Sequence, residues 1–523
     1  MMNFFKKNIS FCTVFIIFIF FINSLFYARN IFDPHHAGLI FAEASNFLHG
    51  KYLYQDIFVK YGILSTIINA FGLFLFGDNI FSIFLITNIF YFSSIFLLFF
   101  IFSYLKINKY NIFFLILIIL NINSYIYVPW SNYLAFFPIL LSLIFIITKQ
   151  KRYFLSGIFL ALSCLFRETY FLSILFIFLF IFFVFFFNNE KKINLIFYII
   201  GFLSPLIIFA IYLILTKNYI IWNELIYPSY KLDLNVQLGF EQKYFNWINI
   251  DFVKYFLLTI SKALLDIRDY FKLWYFLFFL IFTSCIYVIF FEIFRAKKIT
   301  FKSIISVYCL SCSIQAFHAH DAFRLICGSI VGIIIFNDYI NTFIKKRFIF
   351  LVYAVFLVCF VISNWSFYFY SIENYFKVFK KETHENFKKV KQFNNMTYPE
   401  DIHDKYTKFS KYCDSLRANS NIKYAINYTS DASLNYFCKT IPRNYYPWDH
   451  DFSTKIFLKS SMSSKHSDAN DYNTVIFIAT NNSFSLLSNY NILLIMDWNF
   501  AIGGEYKKIA IVQKKSLNHE NKL

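Results

Sequence analysis

Three short stretches of this chain crowd ionisable residues against the ends of long apolar runs, where charge is costly to place beside a bilayer. The first is Asp33-Pro34-His35-His36, followed by Glu43 and Asp56. An Asp at a water–membrane boundary can act as a general base toward a hydroxyl. Asp33-Pro34 also reads as a helix N-cap followed by proline at the first helical position, and one residue can do both. His35 and His36 project about 100° apart on a helix, so they do not share one ligand easily. A divalent metal held with Asp33 or Asp56 stays open, beside plain hydrogen bonding. Glu43 lies seven residues after His36 and hence on the same helical face, as a second acid or as a solvated one. Asp56 suits hydrogen bonding to backbone amides of its own loop. The second stretch is Arg167-Glu168, where two apolar runs meet. Arg167 either caps that turn or binds phosphate, whose geometry a guanidinium matches in bidentate fashion. The third is His318, His320, Asp321 and Arg324, within Gln315–Arg324. It is either a hydrated loop or a set of groups able to neutralise a leaving phosphate.

The elements that must position these residues are membrane helices. Hydrophobic residues make up 59% of the chain and charged residues only 15%, which excludes an ordinary soluble domain. The formal charge of +19 does not point to nucleic acid, because the basic residues form short clusters between apolar runs. Apolar runs long enough to span fall near 8–27, 80–105, 110–127, 131–148, 152–167, 169–187, 193–215, 271–294, 300–318, 322–340 and 348–367. The run 61–76 is a twelfth candidate, and the lysines decide against it. If 61–76 lies on the surface, Lys6-Lys7, Lys106 and Lys109, Lys149 to Arg152, Lys191-Lys192, Arg295 to Lys298 and Lys345 to Arg347 all face the cytoplasm. If it spans, every cluster after the first faces outward.

The expected fold is therefore an α-helical polytopic membrane protein of about eleven spans, with residues 1–370 in the membrane part and an outer loop over 28–79. The N-terminal run reads as an uncleaved anchor, since it lacks a small-residue cleavage site. The loop 217–270, all three polar stretches and the tail from 371 then share the outer face of the plasma (inner) membrane. The tail, 371–523, reads as a small extracytoplasmic α/β domain. Its strands are expected at Tyr424–Tyr428, Val475–Thr480, Ile492–Met496 and Lys508–Gln513, with helical stretches at Asp431–Phe437 and Ser483–Ser488. Seven of nine cysteines lie in apolar runs, while Cys413 and Cys438 in the tail can pair if it is extracytoplasmic. No nucleotide-binding glycine motif occurs, and no cytoplasmic loop is large enough to bind a nucleotide sugar.

The first loop resembles the first outer loop of the GT-C membrane glycosyltransferases, the fold of the aminoarabinose and protein mannosyl transferases. The resemblance rests on Asp33, then Gly50, Tyr54, Asp56 and Tyr61-Gly62, with Ile63 where a proline is usual. Gly157 through Arg167 is similar to a segment of family-39 and Rgt-like members, and His318–Arg324 to a late charged turn in related transferases. The resemblance covers residues 1–370. It implies a GT-C fold, a polyprenyl-phosphate-linked sugar donor, and Asp33 as the catalytic carboxylate. It implies Arg167, His320 and Arg324 on the donor phosphate, with His35, His36, Glu43, Asp56, Glu168, His318 and Asp321 in support. The acceptor would be a glycolipid, a polysaccharide or a protein. Two rivals have weaker support in the residues. A transporter places its ionisable residues near the bilayer midplane, and here they sit at the ends of the runs. An O-antigen polymerase or ligase is expected to centre on a large outer loop rich in Arg and His, whereas 217–270 holds Arg268 and no His.

Overall fold

The computed structural model describes residues 2–29, 33, 36–54, 57, 59, 61–148, 152–187, 192–216, 270–295, 299–316, 322–363, 400–420, 422–429, 431, 433–442, 474–480, 490–498 and 508–514. The chain is an α-helical polytopic membrane protein with a small C-terminal sheet. Among the described residues six helical stretches are long and apolar enough to cross a bilayer: Ile9–Ala28, Ile80–Tyr104, Glu168–Phe186, Lys192–Leu215, Phe276–Ile293 and Phe323–Phe343. Shorter apolar helices cover Ile63–Phe76, Lys109–Ile122, Ser131–Ile147, Tyr153–Phe166, Phe301–Ser313 and Phe348–Val361. Leaving out Ile63–Phe76, these correspond one for one to the eleven runs expected from hydropathy. Their outward faces carry Phe11, Phe15, Phe18, Phe171, Phe183, Ile208 and Val358, apolar groups that suit lipid rather than water.

In chain order the membrane part runs α1 (Met2–Ala28), α2 (His36–Leu48), α3 (Ile63–Phe76), α4 (Ile80–Tyr104), α5 (Lys109–Ile122), α6 (Ser131–Ile147) and α7 (Tyr153–Phe166). A single 3-10 turn, Glu168–Tyr170, leads into α8 (Phe171–Phe187) and α9 (Lys192–Leu215). Then follow α10 (Tyr270–Ile289), α11 (Phe301–Ser313), α12 (Ala322–Ser329), α13 (Ile333–Phe343) and α14 (Lys346–Ser363). Helices α7 and α9 touch backbone to backbone because Gly157 and Gly201 each face the other helix's main chain.

Neither α2 nor α3 crosses the bundle. Gly62, just before α3, lies against the carbonyls of Leu165 and Phe166 at the end of α7. Just beyond α3, Asp78 accepts a hydrogen bond from Ser45 of α2 at 3.2 Å. Both ends of α3 are thus tied to the end of the bundle that holds Asp33. Helix α2 begins at His36, with the amide of Gly38 bonded to the carbonyl of Asp33 at 3.0 Å. It ends in a paired turn, Gly50 amide to Phe47 carbonyl and Lys51 amide to Asn46 carbonyl, with Gly50 in the left-handed region expected of a helix terminator.

The described tail comprises α15 (Glu400–Ser420), β1 (Tyr424–Tyr428), α16 (Leu434–Phe437), β2 (Ile441–Pro442), β3 (Thr474–Thr480), β4 (Tyr490–Asp497) and β5 (Lys508–Lys514). The sheet order is β2-β1-β3-β5-β4, with β1 parallel to β2 and β3, and β5 antiparallel to β3 and β4. The four expected strands are present, and β2 is an addition too short to announce itself. The helix expected over Asp431–Phe437 is shorter, since Asp431 is the hub of a turn before it. Ser483–Ser488 and the loop 217–269 lie outside the described residues. A disulfide joins Cys413 of α15 to Cys438. Phe409 of α15 packs on Phe477 of β3, with ring centroids 5.5 Å apart. The tail meets the membrane part at Tyr436, whose hydroxyl donates to Asp78 at 2.7 Å and whose ring packs edge-on against Phe41 of α2.

Candidate active site

Four charged residues of the membrane part are buried among the described ones: Asp33 at 3% exposure, Glu43 at 4%, Arg167 at 4% and Arg324 at 7%. All four come from the three polar stretches, and all sit at one end of the bundle. Taking a carboxylate or guanidinium out of water costs several kcal/mol per ion unless partners replace the hydration. Most of the partners present come from distant parts of the chain. Glu43 accepts a hydrogen bond from Thr66 of α3 at 3.1 Å. Arg167 donates through Nε to Thr169 at 2.9 Å and through Nη1 to Ser131, the first residue of α6, at 3.0 Å. Its guanidinium also lies 5.1 Å from the centroid of the Tyr61 ring, an attraction of about 0.5–1 kcal/mol or more when water is excluded.

An aromatic cluster draws the three stretches together, with Trp130 at its centre. The Trp130 ring lies 4.5 Å from that of His36, 5.4 Å from Tyr61 and 5.6 Å from Phe323, the last in a stacked pair. His36 belongs to the first stretch, Tyr61 covers Arg167 of the second, and Phe323 precedes Arg324 of the third. The Tyr61 hydroxyl is 3.4 Å from Nδ1 of His36. Half-buried Glu168 accepts a hydrogen bond from Tyr54 of the first loop at 3.4 Å. The loop reaches this position through Gly62, whose φ of 111° falls in the region that favours glycine. A Cβ there would stand 2.6 Å from the Leu165 carbonyl oxygen, so only glycine lets the loop lie on the end of α7.

Of the residues singled out from sequence, the structure gathers Asp33, His36, Glu43, Arg167, Glu168 and Arg324 at this end. His35, Asp56, His318, His320 and Asp321 lie outside the described residues. No three His, Cys, Asp or Glu side chains among the described residues gather to hold a metal ion. Sequence reasoning passed over Trp130, Ser131 and Asn132, and Arg29, whose guanidinium lies 5.2 Å from the Phe81 ring; it included Gln315 in the third stretch but gave it no role of its own. An available signal was Pro129-Trp130 at the mouth of an apolar run, where indoles collect at membrane interfaces.

No family model matches the chain, and no curated protein matches it. Among solved structures it is similar to the crystal structure of ArnT from Cupriavidus metallidurans bound to undecaprenyl phosphate. The similarity covers 97% of this chain and 98% of that one, at 9% sequence identity and a TM-score of 0.47.

Proposed function

We propose that the protein is a glycosyltransferase that moves a sugar from a polyprenyl-phosphate donor to an acceptor hydroxyl, with inversion, at the membrane face where the Asp33 end emerges. The observation that carries the reading is the burial of Asp33, Glu43, Arg167 and Arg324 together at one end of the bundle. Two carboxylates and two guanidinium groups held out of water supply what the reaction needs, a base for the nucleophile and cations for the leaving group. The Asp33 carboxylate takes the acceptor's proton as the acceptor oxygen bonds to the anomeric carbon. The bond from that carbon to the phosphate oxygen breaks, and its electron pair leaves with the polyprenyl phosphate. Arg167 and Arg324, with His320 in the same role, stabilise the departing anion. His36, Glu43 and Glu168 shape the surroundings of the base and the cations.

Two features support placing this end outside the cell. The basic residues Lys106, Lys109, Lys192 and Lys345 lie at the opposite ends of the helices, as positive charge on the cytoplasmic side requires. The disulfide in the tail suits an oxidising compartment.

The test is transfer from purified polyprenyl-phosphate sugars by the protein in liposomes. Asp33→Asn keeps shape and hydrogen bonding but accepts no proton, so transfer should fall about 10²-fold or more while thermal stability holds. The product's anomeric configuration should be opposite to the donor's. Near-normal transfer by folded Asp33→Asn would leave Asp33 with a structural role at the start of α2 only.

A further inference from the structure

Helix α12 and its continuation do not form one straight rod. Cys327, with φ −69° and ψ 71°, and Gly328, with φ 130° and ψ −48°, break the helix three to four residues after Arg324. A break inside an apolar bundle is tolerated only where other donors satisfy the released carbonyls. Here one side chain does most of that. Gln315, buried at 2% exposure, donates through Nε2 to the carbonyl of Arg324 at 2.9 Å and to that of Cys327 at 3.1 Å. The Tyr170 hydroxyl, also in contact with this amide, donates to the same Cys327 carbonyl. The Gln315 Oε1 accepts from Nδ2 of Asn132 at 2.5 Å. Asn132 follows Ser131, the residue that receives Nη1 of Arg167. The first turn of α6 therefore gives one residue to Arg167 and the next to the side chain that fastens the Arg324 segment.

We propose that Gln315 is a positioning residue: it locks the broken helix so that Arg324 is presented beside Arg167 as one preorganised anion-binding pair. The break makes the lock necessary. In a continuous helix the backbone ladder would fix the direction of Arg324, whereas the short segment Ala322–Cys327 has no such constraint at its far end. A side chain with both a donor and an acceptor can bind two carbonyls and also be held from behind by Asn132. Gln meets that need, and Glu, His or Met does not. That the pair receives a donor phosphate rests on the function proposed above; that Gln315 holds the segment does not.

The experiment pairs two readouts on the full-length protein in nanodiscs. Gln315→Met is nearly isosteric and removes every polar contact. Asn132→Ala is the milder second variant, leaving Gln315 in place but unanchored. Hydrogen exchange should accelerate about tenfold in the amides of 322–332, the equivalent of one lost hydrogen bond to a buried group, with α7 and α9 unchanged. The donor concentration for half-maximal transfer should rise several-fold, with a smaller change in turnover at saturation. Faster exchange with unaltered donor use, when Arg324→Lys also leaves donor use unaltered, would support the lock while removing the arginines from the donor site. Unchanged exchange over 322–332 in both variants would overturn the inference, whatever happens to transfer. So would faster exchange with unaltered donor use in Gln315→Met when Arg324→Lys does impair it.

Discussion

At the end of the bundle away from Asp33, Lys302 and Asp338 meet at 2.8 Å with side chains 40% and 39% exposed. Half-buried Glu292 is satisfied there by Thr300 and Ser303, eight and eleven residues further along the chain. At the Asp33 end, Asp33, Glu43, Arg167 and Arg324 are each no more than 7% exposed, while Glu168 and Arg29 are half-buried. Its partners come from far away: Tyr54 reaches Glu168 across 114 residues and Asn132 reaches Gln315 across 183. Charge at the first end stays near water, where it costs little and where pairs contribute about 0–1 kcal/mol. Charge at the second end is expensive and is assembled from segments that have no local reason to meet. Such an arrangement is hard to account for as solvation or hairpin closure. It is the pattern of a site whose polarity is used by something that binds there.

The comparison can be broken most directly with the arginines. Arg324→Lys and Arg167→Lys should each raise the donor concentration for half-maximal transfer about ten- to a hundredfold, since a point charge loses the fork geometry. Lys302→Gln at the other end should change it less than about twofold. Rate against purified lipid-linked sugar decides, and superimposed curves for the arginine variants would erase the difference between the ends. A smaller effect is expected from hydroxyls. Thr66→Val leaves buried Glu43 short of a donor and should cost about 1–3 kcal/mol of stability with a few-fold loss of transfer. Thr300→Val removes one of three donors to half-buried Glu292 and a helix cap, costing about 1 kcal/mol and no transfer. Thermal denaturation of both variants in one detergent tests this, and equal losses with equal transfer would count against it.

The smallest effect on transfer belongs to the tail, which offers a buried charge of a third kind. Asp431 is 1% exposed and accepts hydrogen bonds from Tyr406 at 2.5 Å, Trp498 at 3.2 Å and both the amide and hydroxyl of Ser433. Burial outweighs these donors and pushes its pKa up to about 6. The folded tail thus favours the protonated acid relative to an unfolded chain. Its contribution to stability is full below the ordinary carboxylate pKa of about 4 and is lost as pH rises through 6. Hydrogen exchange across Tyr424–Phe437, corrected for intrinsic rate, should show protection falling between pH 4 and 6 and then levelling off. Asp431→Asn should flatten that slope and leave donor use unchanged.

How much of this was legible beforehand depended on the range of each signal. The spans and the strands Tyr424–Tyr428 and Lys508–Gln513 were readable because hydropathy and alternation are local. Asp33, Arg167 and Arg324 stood out because a charge beside an apolar run is conspicuous without any partner. Trp130, Ser131 and Asn132 did not, and Gln315 stood in a conspicuous stretch without a role of its own, since each acquires meaning only from residues far along the chain. The break at Cys327–Gly328 was missed for a related reason. A glycine in an apolar run reads as a tolerated helix residue until the side chain that receives the freed carbonyls is seen.

The contact between Tyr436 and Asp78 has a consequence for how the molecule is made. Asp78 is synthesised 358 residues before the tyrosine that completes it, a delay of roughly 20–70 s at ordinary translation rates. During that interval Ser45 of α2 and His49 just beyond it are the partners within reach of Asp78, before the disulfide of the tail can form. Helix α2, which carries Glu43 and lies against the ring of Tyr436, is therefore finished last although it emerges second. A chain cut just before the tail would leave Asp78 and Phe41 without Tyr436. Tyr436 thus ties the acidic helix to a part of the chain made long after it.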